Sequence, residues 1–109
     1  MESYKVEVLI VEALVNHCLA AGYSLSVDDG GDEFALVEST SREGILEVLM
    51  NTGADTVVVY DQRGQNMGFV DLVYGNEDWT VMCNWAMSLD SFLEPIHQLS
   101  QKFEEEVEE

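Results

Sequence analysis

Basic residues are almost missing from this chain: four Lys and Arg stand against 22 Asp and Glu in 109 residues, a formal net charge of −18 at pH 7. Four bases cannot neutralise a row of phosphates, so direct nucleic-acid binding is excluded, and anionic membranes repel the chain for the same reason. Cysteine is scarce too. Cys18 and Cys83 supply neither a disulfide framework nor a paired metal motif. The glycines fall into no Walker or dinucleotide spacing, which removes the phosphate-cradling enzymes. Long hydrophobic runs are absent: Val6 to Ala21 is interrupted by Glu7, Glu12, Asn16 and His17 and is too short to span a bilayer. No basic region followed by an apolar stretch and a cleavage site marks a secretory leader, so the expectation is a cytoplasmic domain with reduced thiols.

What is present is apolar content sufficient to fold. Hydrophobic residues make up 47% of the chain, whereas disordered acidic proteins lack such content. A net charge of about 2 to 8 already keeps a small domain soluble, and a larger excess destabilises the compact state by self-repulsion. A basic partner surface would compensate that excess.

The pattern predicts the element order α-β-β-α-β-β-β-α. Lys5 to Ala21 places Ile10, Leu14 and Cys18, with Val11, Val15 and Leu19, at helical intervals, and Gly22 is suited to end that helix. Tyr23 to Val27 and Glu33 to Glu38 read as strands joined by the turn Asp28-Asp29-Gly30-Gly31-Asp32, with Phe34, Leu36 and Glu38 on one face of the second. Thr40 and Glu43 have capping-box spacing for a helix reaching Thr52, with Ile45, Leu46, Val48 and Leu49 as its buried stripe. Thr56 to Tyr60 is a continuous β-branched and aromatic run, the pattern of a strand covered on both faces. Met67 to Tyr74 and Trp79 to Trp85 complete a meander, the latter with Trp79, Val81, Cys83 and Trp85 on one side. The last helix starts at Ser88 or Asp90, with its stable part beginning near Glu94, because Pro95 belongs in a first turn. Ile96, Leu99 and Phe103 give it an apolar stripe. The expected architecture is α+β and two-layered: an antiparallel sheet of about five strands with helices on one face. Residues 1–103 form one domain, and the like-charged Glu104 to Glu109 forms a frayed tail.

Gly22 to Pro95 resembles a group of small proteins that recur in bacteriophages, prophages and other mobile elements. The residues concerned are Ala-Ala-Gly, then Ser26-Val27-Asp28-Asp29-Gly30, Ser39, and above all Gly68-Phe69-Val70-Asp71-Leu72-Val73-Tyr74-Gly75-Asn76, with Pro95 in the closing helix. Members of that group often carry Trp-Val in place of Phe69-Val70 and Asp-Tyr or Asp-His in place of Asn84-Trp85. The resemblance implies a phage or mobile-element setting and brings no catalytic residues with it.

Reaction chemistry has little support. His17 and Cys18 are adjacent on a helix, hence about 100° apart and unable to face one ligand; a Cys–His pair would need His97 or another distant partner. Buried inert thiol is the default reading of these cysteines. Asp28, Asp29, Asp32 and Glu33 lack the alternating acids of an EF-hand and read as hairpin-turn residues. No metal, cofactor or catalytic residue is expected, and the chain is read as non-enzymatic.

Two readings account for the charge. In the first, the chain is a phage or mobile-element inhibitor, a decoy that imitates nucleic acid and blocks a DNA- or RNA-handling host protein such as a defence nuclease. Duplex DNA carries one negative charge per about 1.7 Å, and the acidic surface would be Asp28, Asp29, Asp32, Glu33, Glu43, Glu47, Asp71, Glu77 and Asp78, with Trp79 and Trp85 as apolar anchors and Met67 and Phe69 extending their patch. In the second, the domain is salt-adapted or generically acidic and acts by dimerising or docking to another protein. Mimicry gathers carboxylates on one surface; salt adaptation spreads them.

Overall fold

The computed structural model describes residues 3–31, 33–51, 53–74 and 81–107. Within these the expected order appears: α1 (Ser3–Ala20), β1 (Ser24–Asp28), β2 (Leu36–Ser39), α2 (Arg42–Val48), β3 (Ala54–Tyr60), β4 (Asn66–Val73), β5 (Met82–Trp85), a short 3-10 turn (Met87–Leu89) and α3 (Asp90–Val107). The strands form one antiparallel sheet in the order β2-β1-β3-β4-β5. The fold is α+β.

Strand register decides which side chains reach the core. Leu25 lies opposite Val59, Val27 opposite Val57, and Val57 opposite Val70, so these residues share one face. All are buried, and with Leu72 and Met82 they pack against Val6, Ile10, Val11, Leu14, Val15 and Cys18 of α1, Ile45 and Leu49 at α2, and Leu89, Leu93 and Ile96 at the start of α3. One layer of helices on one layer of sheet buries each apolar face once.

Helix ends follow local chemistry. At the end of α1, Tyr23 N–H donates to Cys18 O (3.1 Å) and Gly22 N–H to Leu19 O (3.0 Å). That is a Schellman closure, and it requires the left-handed φ of +83° that Gly22 supplies. The cap of α2 is Ser41 rather than Thr40, its Oγ accepting from Gly44 N–H, so the Thr40–Glu43 capping box does not form. Helix α2 stops at Val48, short of Thr52, because Met50 turns left-handed (φ +64°) and its N–H donates to Asp55 Oδ2 at 2.9 Å.

Three further expectations need correction. Pro95 is the sixth residue of α3, not a first-turn residue. Its missing N–H leaves only the carbonyl of exposed Ser91 to water, while buried Leu93 and Ile96 hold the turn in place. Helix α3 continues to Val107, so the segment expected as a tail from Glu104 carries helical backbone up to that residue. Bulges break the period-two reading of both outer strands. Leu36 and Ser39 pair with Val27 and Leu25, which leaves Glu38 off the face of Leu36 at φ +43°. In β5, Met82 and Asn84 pair with Leu72 and Asp71, so Cys83 is the extra residue and does not share a face with Trp85.

Candidate interaction surface

Among the described residues, the helices cover one side of the sheet and leave the other bare. Strand β3 is therefore covered on one face only, against the expectation from its apolar run. Val57 and Val59 are buried beneath the helices, while Thr56, Val58 and Tyr60 are half-buried on the opposite side. The register arranges the bare side in rows. Ser24 faces Tyr60; Ser26 faces Val58, which faces Phe69; Asp28 faces Thr56, which faces Asp71, which faces Asn84. Ser26 is fully enclosed in its row, accepting from Glu38 N–H at 2.8 Å and donating to Tyr60 Oη at 3.4 Å. Val58, Tyr60 and Phe69 stand apart from the core cluster and the side chains packed on it. At the β2 edge Val37 is 62% exposed and Phe34 is exposed beside it in the hairpin.

The acidic row ends in a shallow depression of about 300 Å³ lined by Asp28, Gly30, Ala54, Thr56, Asp71, Val73 and Cys83, with Asp55 and Leu72 also contributing. Asp28 and Asp71 are two strands apart, a separation of about 10 Å at the ordinary strand spacing. Thr56 Oγ1 donates to Asp71 Oδ1 at 2.8 Å, and Gly30 N–H donates to Asp28 Oδ1 at 2.9 Å. The second oxygen of each carboxylate takes no hydrogen bond among the described residues. Among those residues no group of His, Cys, Asp and Glu is placed to hold a metal ion.

The other acidic candidates scatter. Asp29 and Glu33 sit in the β1–β2 hairpin, with Asp29 Oδ1 accepting from Gly31 N–H. Glu43 and Glu47 are exposed on α2, in the helical layer, and so look away from Asp28 and Asp71. Asp32, Glu77, Asp78 and Trp79 lie outside the described residues. Trp85 pairs with Val70 and so faces the helices. It is half-buried, packs 5.7 Å from the His97 ring and donates from Nε1 to Asp90 Oδ1 at 3.0 Å. Phe69 projects from the opposite face, so the two cannot form one apolar patch. Trp85 closes the hydrophobic layer.

The thiols and histidines are occupied structurally. Burial pushes the Cys18 thiol up to about 12, which keeps it protonated and unreactive at neutral pH. His17 Nε2 lies 2.7 Å from Phe92 O, and its ring stacks on Phe92 at 4.2 Å, fastening α1 to α3. The exposed Cys83 Sγ donates a weak hydrogen bond to Asp71 O at 3.6 Å.

One buried carboxylate had no distinct signal in the sequence. Asp55, only 3% exposed, accepts from Tyr74 Oη at 2.6 Å as well as from Met50 N–H, and its Oδ1 is buried without a partner. Burial first, then the hydrogen bond to Asp55, raises the Tyr74 hydroxyl well above its ordinary value. Asp55 thereby fixes the left-handed Met50 and the end of β4 together, a positioning role for the loop that leads into β3. No helix among the described residues is long and apolar enough to cross a membrane. No family model matches this chain, and no curated protein or solved structure matches it either.

Proposed function

We propose that this chain is a non-enzymatic acidic binding protein, a decoy that occupies the basic surface of a nucleic-acid-handling protein in place of DNA or RNA. The observation that carries the reading is the charge of −18 on a chain that folds into an ordered two-layer domain. Self-repulsion of that size costs stability, and a surface rich in Lys and Arg relieves it by direct attraction. The resemblance of the sequence Gly68–Asn76 to mobile-element proteins fits a target among host defence enzymes, since such elements gain by disabling them.

A second reading has one observation on its side. Glu43 and Glu47 project from the helical layer while Asp28 and Asp71 project from the sheet, so the acid is not confined to one surface. Salt adaptation would spread charge in this way and would leave function to dimerisation or docking.

Capture of partners by the tagged chain separates the two, at low salt and again at about 0.5 M, where screening shortens to a few ångströms. The decoy reading expects a DNA- or RNA-processing protein at low salt. It also expects that protein to be lost when Asp28, Asp29 and Asp32 become Asn and Glu33 becomes Gln. Recovery of nothing but the chain itself would sink it and leave the salt-adapted domain.

A further inference from the structure

We infer that the uncovered face of the sheet, rather than the helical layer, receives the basic partner, with an Arg or Lys side chain of that partner seated between Asp28 and Asp71. The inference rests on the decoy reading and adds where the contact is made and which chemistry makes it.

Three observations converge on this face. First, β3 carries the continuous apolar run of a strand enclosed on both sides, yet the described residues enclose only one. Val58, with Phe69 beside it and Tyr60 in the next row, is half-buried apolar surface that stands outside the core cluster. Second, the Asp28–Thr56–Asp71 row sets two carboxylates across that surface, each with one oxygen already anchored and the other open to a donor. Third, the depression between them has Ala54 and Val73 in its wall, against which the methylene stem of a Lys or Arg can lie while its charged head reaches the carboxylates. Its volume of about 300 Å³ is at the small end for ligand pockets and suits one inserted side chain.

Charge also chooses between occupants. A second copy laid on this face would bring Asp28 and Asp71 against their own equivalents, with −18 on each chain. A basic surface carrying apolar side chains meets both the acidic row and the Val58–Phe69 row. Helix α2 offers Glu43 and Glu47, but its apolar residues Ile45, Leu46, Val48 and Leu49 are already engaged with the core.

The test is a titration of the isotopically labelled full chain with a short synthetic peptide rich in Arg and Leu, at low salt, followed by amide chemical shifts and fluorescence anisotropy. Expected are shifts concentrated on Ser26, Asp28, Thr56, Val58, Phe69 and Asp71. Asp28→Asn with Asp71→Asn should weaken binding about tenfold, from two half-exposed ion pairs lost together. Glu43→Gln with Glu47→Gln should change it less than twofold. Asn keeps the oxygen that accepts from Gly30 N–H or Thr56, so both pairs of variants should retain the native amide spectrum. Equal loss in the two double variants, or shifts centred on α2, would overturn the face assignment while leaving the decoy reading intact. No binding by the native chain would overturn both. A dimer whose interface protects Val58 and Phe69 would overturn the inference in favour of a second copy.

Discussion

The two faces of one sheet are made from the same strands, and in β3 they alternate residue by residue. Val57 and Val59 are completely enclosed, whereas Val58, between them, stands outside the core. The covered face is mainly aliphatic, from Leu25 to Leu72, with the buried carboxylate of Asp55 at one end. The bare face is mixed: serines, a threonine, two aspartates, and Val58, Tyr60 and Phe69 among them. Core packing therefore resides on one side of the sheet, and the other contributes little to it.

The comparison breaks most sharply at Gly68. This residue pairs with Val59 on the covered face, has φ +139°, and would set a side-chain Cβ only 2.7 Å from Ala86 Cβ and 3.2 Å from Leu89 Cδ1. Gly68→Val combines backbone strain with overpacking, at a cost of about 4 kcal/mol. Urea denaturation should show a fold close to collapse; a loss under about 1 kcal/mol would mean that the 3-10 turn can move off β4. Adjacent positions sharpen the contrast next. Val57→Ala should cost about 2 kcal/mol through lost burial and a cavity, and Val58→Ala less than about 0.5 kcal/mol, both read from the denaturation midpoint. Equal losses would show that the bare face is part of the core after all.

The smallest effect is a slope. Cys18 is raised from 9.0 to about 12 in the fold, so its contribution is complete below pH 9 and is lost as pH rises from 9 towards 12. Tyr74, also raised, adds loss above pH 10. Cys18→Val should flatten the alkaline decline of the denaturation midpoint without abolishing it, because Tyr74 remains. An unchanged slope would assign the decline to Tyr74 and surface groups and not to Cys18.

Much of the fold was legible because helical spacing, Asp/Gly turns and apolar runs are local signals. The misreadings have local causes of another kind. One extra residue in β2 and one in β5 reverse the expected faces of Glu38 and Cys83, and such insertions leave no mark in composition. The burial of Leu93 and Ile96 outweighs the break that Pro95 favours, and nothing in the residues around Met50 marks its left-handed turn. The apolar run Thr56–Tyr60 reads as a strand covered on both faces, yet among the described residues only one face is covered, because burial of a strand depends on distant elements and not on its own composition. The site was less legible than the fold. Asp28 and Asp71 are 43 positions apart, and only the β1–β3–β4 register sets them on either side of Thr56.

The irregularity of the outer strands has a further consequence. Each is four residues long and interrupted by its bulge, so neither offers a straight row of amide and carbonyl groups on which a foreign strand could template. Short, bulged margins of this kind disfavour strand addition and fibre-like growth at both edges of the sheet.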